Sequence, residues 1–577
     1  MGQARVAVLP VLAHGRCVLA SSMASRLWFA CAVAACIASL ALAQPAPAEG
    51  DPLAQAIAAE LDAWTTAAEP TIHGVRIALA ERVQEFYARR GFRAAWSNAR
   101  NAEQLRRALA ESDEQGLDPK DYHLPLLEDL AGQIGRAAAS DALRAQYDVL
   151  LTEALLRLGY HLSFGKVDPQ TFDPQWNYGR TLASMDVSHK VEEALAAEDI
   201  YQRVEALRPT HSLYTGLVRE LARYRAAAQT PIATLVAGPT LRPGDSDARV
   251  PVLRARLIAS GDLDRAAASD ALDYDAALAK AAQSFQARMG LASDGVVGAG
   301  TIAELNVALA ERITQLRVNL DRGRVLLQDL PDEFVVVNIA AFTVYLVRGQ
   351  QIVWQARAQV GKPYRRTPIF RSEISYVVLN PTWTVPPGII EHDILPAAQR
   401  DPATITRKGL RVLDAQGQGL DPASIDWSQY RSGHIPYTLR QDPGPSNALG
   451  RAKLMFPNPY QVYLHDTPSQ ALFERADRAF SSGCVRVERA LELTELVLDD
   501  PEHWNAASIA GTVERGELRT ITLKKNIPVL LAYWTAWVDP QGRMNFRRDL
   551  YGQDAKWAQA LEARFAVRAR PLFQPRQ

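Results

Sequence analysis

Cysteine is scarce in this chain of 577 residues, and three of its four cysteines lie within the first 40 residues. The exception is Cys484. One cysteine cannot form an internal disulfide, so the fold beyond residue 40 does not depend on an intrachain disulfide. A lone free thiol is either a small buried hydrophobic group or a reactive one, and the surroundings of Cys484 decide between the two.

The chain also lacks a net charge and, after its first 43 residues, a long apolar run. Its 64 basic residues balance 64 acidic ones, so no overall field selects a nucleic-acid partner. No later segment has the ~20 apolar residues that cross a membrane. His189, His392 and His434 are scattered without zinc-ligand spacing, which predicts no metal site.

The first 43 residues have the pattern of an export signal. Arg26 supplies a positive start, residues 27–40 are apolar, and Ala41-Leu42-Ala43 fits a small-residue cleavage site. We therefore expect a cleaved signal peptide over residues 1–43. An uncleaved signal anchor and a lipoprotein box at Cys36 are the alternatives.

Helical periodicity dominates the next part of the chain. Residues 44–236 are rich in Ala, Leu and Arg and predict an all-α scaffold domain. After a Pro- and Gly-containing linker, residues 237–310 predict a three-helix module, in which Thr301 caps the third helix and Glu304 completes a capping box. Its D-G-x-x-G-x-x-T turn resembles that of the peptidoglycan-binding domain, and a three-helix spacer is the alternative.

From residue 332 the hydrophobic period changes to that of strands. Alternating apolar residues predict a β-rich domain over 332–537. Within it, residues 389–446 are polar and interrupted by prolines, which is long for a structureless connection and predicts an inserted lid subdomain. Residues 538–577 are expected to form a short polar tail with one helix. The fold class is therefore multi-domain, with an all-α N-terminal half and a β-rich C-terminal half.

The chemistry of the chain is concentrated around Cys484. It lies in the stretch Phe480-Ser481-Ser482-Gly483-Cys484-Val485-Arg486, a short distance after His465. A thiol and an imidazole on neighbouring segments suffice for cysteine acyl transfer, and Gly483 lets the backbone approach a substrate closely. This pattern favours a nucleophile over an inert buried cysteine.

The same residues resemble the L,D-transpeptidases of the YkuD type, in the large multi-domain YcbB-like branch. The family pattern is a histidine, a spacer of just under twenty residues, and Ser/Thr-x-Gly-Cys-Val/Ile-Arg. The resemblance extends to further stretches of the β-rich domain, which are residues 360–370, 379–381, 383–387, 440–445, 447–450 and 456–458. One departure is Ser482, where many members of the family have histidine.

The resemblance implies a cysteine-dependent enzyme of the Gram-negative periplasm that needs no cofactor. It would cut a peptidoglycan tetrapeptide stem before the terminal D-Ala, hold the stem as a thioester and pass it to the amine of another stem, giving a 3→3 cross-link. Its partners would be the donor and acceptor stem peptides, and other wall-synthesis enzymes are further candidates. Transfer to water, transfer to a lipoprotein lysine and a non-catalytic wall-binding scaffold are the alternatives.

Each site residue receives an expected role. Cys484 is the nucleophile and His465 its base, while backbone N–H groups at Gly483 and Cys484 are oxyanion donors. Arg486 either binds a substrate carboxylate or pins the loop by pairing with an acid. Either Asp466 or a backbone carbonyl orients the imidazole. The candidate catalytic residues are Cys484, His465, Gly483, Ser482 and Arg486, and the candidate substrate-binding residues are Tyr463, Trp383, Tyr364 and Ser481.

Overall fold

The structure is a computed structural model that describes residues 50–136, 139–171, 176–177, 187–328, 330–431 and 434–565. The predicted signal peptide, residues 1–43, lies outside the described residues. Within the described ranges, no helix combines the length and the apolar character that crossing a membrane requires.

The first part of the chain is helical, apart from a small hairpin of β1 (Thr71–Ile72) and β2 (Val75–Arg76). The longest of these helices is buried along most of its length and carries two buried acids, Asp148 and Glu153, that bind neighbouring groups. The helices are α1 (Pro52–Ala63), α2 (Ala80–Arg89), α3 (Ala99–Glu111), α4 (Leu124–Arg136), α5 (Asp141–Phe164), α6 (Val187–Ala196), α7 (Ile200–Glu205) and α8 (Ser212–Ala227).

Three further helices follow the linker: α9 (Val250–Ala259), α10 (Ala276–Met289) and α11 (Ala299–Leu305). The predicted capping box at Thr301 is wrong. The N-cap of α11 is Gly298, and Thr301 lies inside the helix, where its hydroxyl accepts a hydrogen bond from Gln286 Nε2 (3.1 Å). The amide of Gln286 therefore ties the preceding turn to the helix.

Helix α12 (Leu309–Leu326) connects the helical half to the β-rich half. It carries three charged side chains that are almost completely buried, Asp321, Arg322 and Arg324. Buried charges are stable only when they are paired and hydrogen-bonded. Two residues that bind these charged groups come from the C-terminal segment. They are Asp554, which lies 2.6 Å from Arg322, and Trp557, which lies 2.9 Å from Asp321.

The β-rich half consists of the strands β3 (Glu333–Asn338), β4 (Thr343–Arg348), β5 (Gln351–Gly361), β6 (Phe370–Leu379), β7 (Trp383–Thr384), β8 (Arg411–Leu413), β9 (Gly419–Leu420), β10 (Thr438–Gln441), β11 (Ala452–Met455), β12 (Leu464–His465), β13 (Ala479–Ser481), β14 (Val485–Val487) and β15 (Arg519–Ala532). In the described residues nine of them form one sheet in the order β13-β5-β14-β12-β11-β6-β15-β3-β4. An additional pairing of β4 with β5 closes this sheet on itself.

The predicted insertion folds as a small unit beside this sheet. Strands β7 to β10 form a separate sheet in the order β7-β10-β8-β9, covered by helices α13 (Leu395–Arg400) and α14 (Ala403–Arg407). Its own hydrophobic core includes Ile394, Trp427 and Leu439. The unit begins at Trp383, earlier than the predicted boundary at residue 389, because β7 pairs with β10. Its action as a lid stays a prediction.

The C-terminal segment is packed into the fold rather than forming a polar tail. After helices α15 (Ala490–Leu498) and α16 (Ala506–Glu514), it contributes the hairpin of β16 (Ala536–Val538) and β17 (Met544–Phe546) and helix α17 (Gln553–Glu562). Trp557 is only 1% exposed. This segment therefore contacts both the connecting helix and the β-rich half.

Candidate functional site

Cys484 lies in a tight turn between β13 and β14. Ser481 Oγ donates to the carbonyl oxygen of Cys484 (2.5 Å) and accepts from the backbone N–H of Gly483 (3.1 Å). Gly483 has φ +123°, a conformation that side chains disfavour. Ser481 is buried and its hydroxyl shapes the turn, and its contact with substrate stays a prediction.

Four polar side chains form a row across four neighbouring strands. Lys453 on β11 pairs in register with His465 on β12, His465 with Arg486 on β14, and Arg486 with Gln359 on β5. Residues in register on adjacent strands share one face of a sheet. Cys484 and Tyr463 lie two residues before Arg486 and His465, so the sheet period places them on that same face.

The imidazole of His465 is oriented by a backbone carbonyl. Its Nδ1 lies 2.5 Å from the oxygen of Asp466, which can only accept, so Nδ1 carries the proton and Nε2 is the unprotonated ring nitrogen. The Asp466 carboxylate instead accepts from the backbone N–H of Arg451 (2.8 Å). Of the two predicted orienting groups, the carbonyl is therefore the one in contact.

His465 is buried between two cations. Burial, then the charges of Arg486 and Lys453, lower its pKa to about 3, against a partial offset from backbone hydrogen bonds. The imidazole is therefore neutral at neutral pH and can act as a base.

Cys484 is partly exposed and its Sγ lies 3.7 Å from the carbonyl oxygen of Gln461. Burial of the sulfur raises its pKa, and the backbone and phenol of Tyr463 and the charges of Lys453 and Arg486 oppose this rise. The thiol and the imidazole are thus both uncharged at rest. This geometry favours proton transfer during attack over a preformed thiolate–imidazolium pair.

Arg486 is held by an amide rather than by an acid. Its Nη1 donates to Gln359 Oε1 (3.1 Å), and no described carboxylate forms an ion pair with it. The expected pairing with an acid is therefore wrong. The guanidinium remains an unneutralised buried charge beside the thiol, which favours anionic states there.

A cleft of about 680 Å³ lies between the sheet and the start of the insertion. Tyr463, Trp383 and Lys453 line it, together with Pro386 of the insertion. Tyr463 is buried, and its pKa is raised by burial and then by Cys484. Tyr364 does not line this cleft: it is 73% exposed, and the cations of Lys362 and Arg365 lie over its ring.

Ser482 connects the nucleophile turn to the insertion. Arg365 donates to Ser482 Oγ (2.9 Å) and forms an ion pair with Asp393 of the insertion. The side chain of Ser482 has no imidazole for acid–base chemistry. Its hydroxyl binds the same guanidinium, that of Arg365, as Asp393 of the insertion does.

Two residues that the sequence did not indicate, Thr367 and Tyr551, support the turn by hydrogen bonds. Thr367 Oγ1 donates to the carbonyl of Gly483 (2.8 Å) and accepts from the N–H of Gly361 (2.9 Å). Tyr551, from the C-terminal segment, donates to the carbonyl of Gly361 (2.7 Å). Lys453 was missed as well, although its place in an alternating strand before His465 was a usable signal.

Three segments of the chain match models of known protein families. Residues 332–513 match the model of the YkuD family, the "L,D-transpeptidase catalytic domain". Residues 246–305 match the "Putative peptidoglycan binding domain", and residues 81–221 match the "Scaffold domain".

One curated relative and one solved structure extend the comparison. A Haemophilus influenzae protein named "Putative L,D-transpeptidase" is 38% identical over 245 residues, which are 42% of this chain and 48% of that protein. The chain thus matches about half the length of that relative. The crystal structure of an L,D-transpeptidase segment from Xylanimonas cellulosilytica is 16% identical, with a TM-score of 0.18, over 52% of this chain and 99% of that one.

Proposed function

Because residues 332–513 form an L,D-transpeptidase catalytic domain of the YkuD family, we propose that the protein forms 3→3 peptidoglycan cross-links through a thioester at Cys484. The donor is a tetrapeptide stem that loses its terminal D-Ala. The observation that carries this proposal is the register of β12 and β14, which places His465 and the segment following Cys484 on adjacent strands.

In the first step, His465 Nε2 takes the proton of the Cys484 thiol while Sγ attacks the carbonyl carbon between the third stem residue and D-Ala. A C–S bond forms and the carbonyl oxygen becomes an oxyanion, which accepts a hydrogen bond from the backbone N–H of Cys484 in the turn. As the intermediate collapses, the C–N bond breaks and the protonated imidazole gives its proton to the departing amine of D-Ala.

In the second step, the side-chain amine of another stem attacks the thioester carbonyl. Neutral His465 accepts the proton of the attacking amine, the C–S bond breaks, and the proton returns to sulfur. The amide formed is the cross-link. The unneutralised charges of Lys453 and Arg486 favour the anionic sulfur and oxygen that develop in both steps.

Water or the lysine of a lipoprotein could take the place of the acceptor amine. We favour the amine, because Trp383 and Pro386 of the insertion line the cleft and a closed insertion would exclude water from the thioester. The match of residues 246–305 to a peptidoglycan-binding domain supports a substrate that is part of the wall polymer. We extend the proposal to the periplasm and to a cleaved signal peptide on the pattern of residues 1–43.

Incubation with a purified disaccharide-tetrapeptide, followed by mass analysis of the products, tests the proposal. A dimer with loss of D-Ala is expected, and it should be absent with Cys484→Ala. Tripeptide monomer alone would show transfer to water instead. An unchanged substrate, or a dimer formed by the Cys484→Ala variant, would contradict the proposal.

A further inference from the structure

Lys453 is a cation in the wall of the cleft beside the reacting groups. It lies on β11 directly opposite His465, and it lines the cleft of about 680 Å³. Its positive charge acts to lower the pKa of both His465 and Cys484. The ammonium group is therefore close enough to the thiol for its charge to act there.

The ammonium group lies over an aromatic ring and not against an acid. Its Nζ is 3.9 Å from the centroid of the Tyr463 ring, and within the described ranges no carboxylate lies in ion-pair distance of it. Arg365 and Arg357 are paired with Asp393 and Glu488, whereas Arg486 is held by the amide of Gln359 and, unlike Lys453, does not line the cleft. A half-buried cation without an anion is poorly solvated, and burial lowers the pKa of Lys453.

The contact with Tyr463 fixes the position of this cation. Tyr463 is buried, and its hydroxyl also interacts with the thiol. A cation held on a buried ring has lost much of its rotational freedom before substrate binds. Such preorganisation lowers the cost of binding an anion at a defined distance from the sulfur.

We propose that Lys453 binds a carboxylate of the donor stem peptide and thereby selects donors that present an anion next to the bond that Cys484 attacks. The proposal rests on the proposed function, because the donor is taken to be a stem peptide. Two carboxylates have this chemistry: the terminal carboxylate of the donor and a side-chain carboxylate within the stem.

The test compares acylation rates with three synthetic tetrapeptide donors: the free acid, the C-terminal amide and a donor with its side-chain carboxyl groups amidated. Intact-mass kinetics of the Cys484 thioester give kcat/KM for each. A charge-assisted hydrogen bond should make the free acid about 10- to 100-fold better than the amide that removes the recognised carboxylate. The amidated donor that reacts more slowly than the free acid shows which of the two carboxylates Lys453 binds.

In Lys453→Met this preference should disappear, so that the free acid and the critical amide react at equal rates. Lys453→Arg should restore much of the preference because it keeps the charge. Lys362→Met is the matched control, since Lys362 also lies over a tyrosine ring but outside the cleft. It should behave as the wild type does.

Two results would overturn the inference and leave the proposed function in place. One is a wild-type enzyme that acylates all three donors equally. The other is Lys453→Met that is slower by one common factor on all donors, with slower alkylation by iodoacetamide. In that case Lys453 acts only on the thiol. A wild type that forms no thioester with any donor would contradict both this inference and the proposed function.

Discussion

The hydroxyl of Tyr551 donates a 2.7 Å hydrogen bond to the carbonyl of Gly361, 190 residues earlier in the chain. The same hydroxyl accepts from the N–H of Thr367 (3.1 Å), whose side chain holds the carbonyl of Gly483. One side chain of the C-terminal segment therefore supports the backbone next to Cys484. The packed C-terminal segment thus supports the backbone of the turn that contains Cys484.

Tyr551→Phe should slow acylation of Cys484 about 3- to 10-fold, because the loss of two buried hydrogen bonds loosens the turn. Tyr214→Phe is the control: it also removes a buried tyrosine hydroxyl with two hydrogen bonds, but these join Gln115 and Arg324 and not the turn. Both variants should lower the melting temperature. Equal loss of acylation in both would mean that Tyr551 acts only through stability.

Ser481→Ala should slow acylation more strongly, by about 10- to 100-fold, since it leaves the N–H of Gly483 without its acceptor and frees the carbonyl of Cys484. Ser482→Ala is its neighbouring control, because that hydroxyl contacts only Arg365 among the described residues. Burst kinetics with a tetrapeptide donor measure both. If Ser482→Ala is the slower variant, the hydroxyl of Ser481 does not organise the turn.

Asp393→Asn should shift the fate of the thioester from amine to water, because it weakens the contact of the insertion with Arg365 and the nucleophile turn. The ratio of dimer to tripeptide should fall about 2- to 5-fold, as for a partly exposed ion pair. Alkylation of Cys484 by iodoacetamide should be unchanged.

Asp401→Asn is the control for this experiment, since it breaks an exposed pair with Arg407 inside the insertion. It should leave the product ratio as in the wild type. The lid hypothesis fails if both variants change the ratio equally, or if Asp393→Asn lowers dimer formation and alkylation together.

Much of the fold was accessible from the sequence because periodicity reports which face of an element is buried. The helical half and the strands from residue 334 follow from it, and the insertion follows from the length and the prolines of residues 389–446. The capping of α11 did not, because Gln286 from the preceding helix takes the hydroxyl of Thr301. The packing of residues after 538 was missed because Trp557 and Asp554 find their partners on a helix more than 200 residues away.

The candidate site also has a part that the sequence predicts and a part that it does not. Cys484 and His465 are visible in a local motif, and the structure brings their segments together through β12 and β14. The roles of the other groups depend on contacts distant in sequence. Arg486 meets Gln359 rather than an acid, and Lys453 becomes a neighbour of His465 only through the pairing of β11 and β12. Strand alternation indicates which face a residue such as Lys453 occupies, but sequence spacing does not say which strands pair.

The central claim is that neutral His465 removes the proton of the Cys484 thiol during attack. Because the pKa of His465 is lowered to about 3, the base stays unprotonated as the pH falls through 6.5 and is lost only near pH 3. Because the pKa of Cys484 is raised, direct attack by thiolate grows only at alkaline pH.

The most direct test is kcat/KM for acylation of Cys484 by a tetrapeptide donor, measured against pH in the wild type and in His465→Ala. The wild type should show a flat profile from about pH 5 to 8. His465→Ala should be about 10²- to 10⁴-fold slower at pH 7 and rise about tenfold per pH unit toward the pKa of the thiol. A wild-type profile that falls with an apparent pKa near 6.5, or one profile shared by both proteins, would contradict the account.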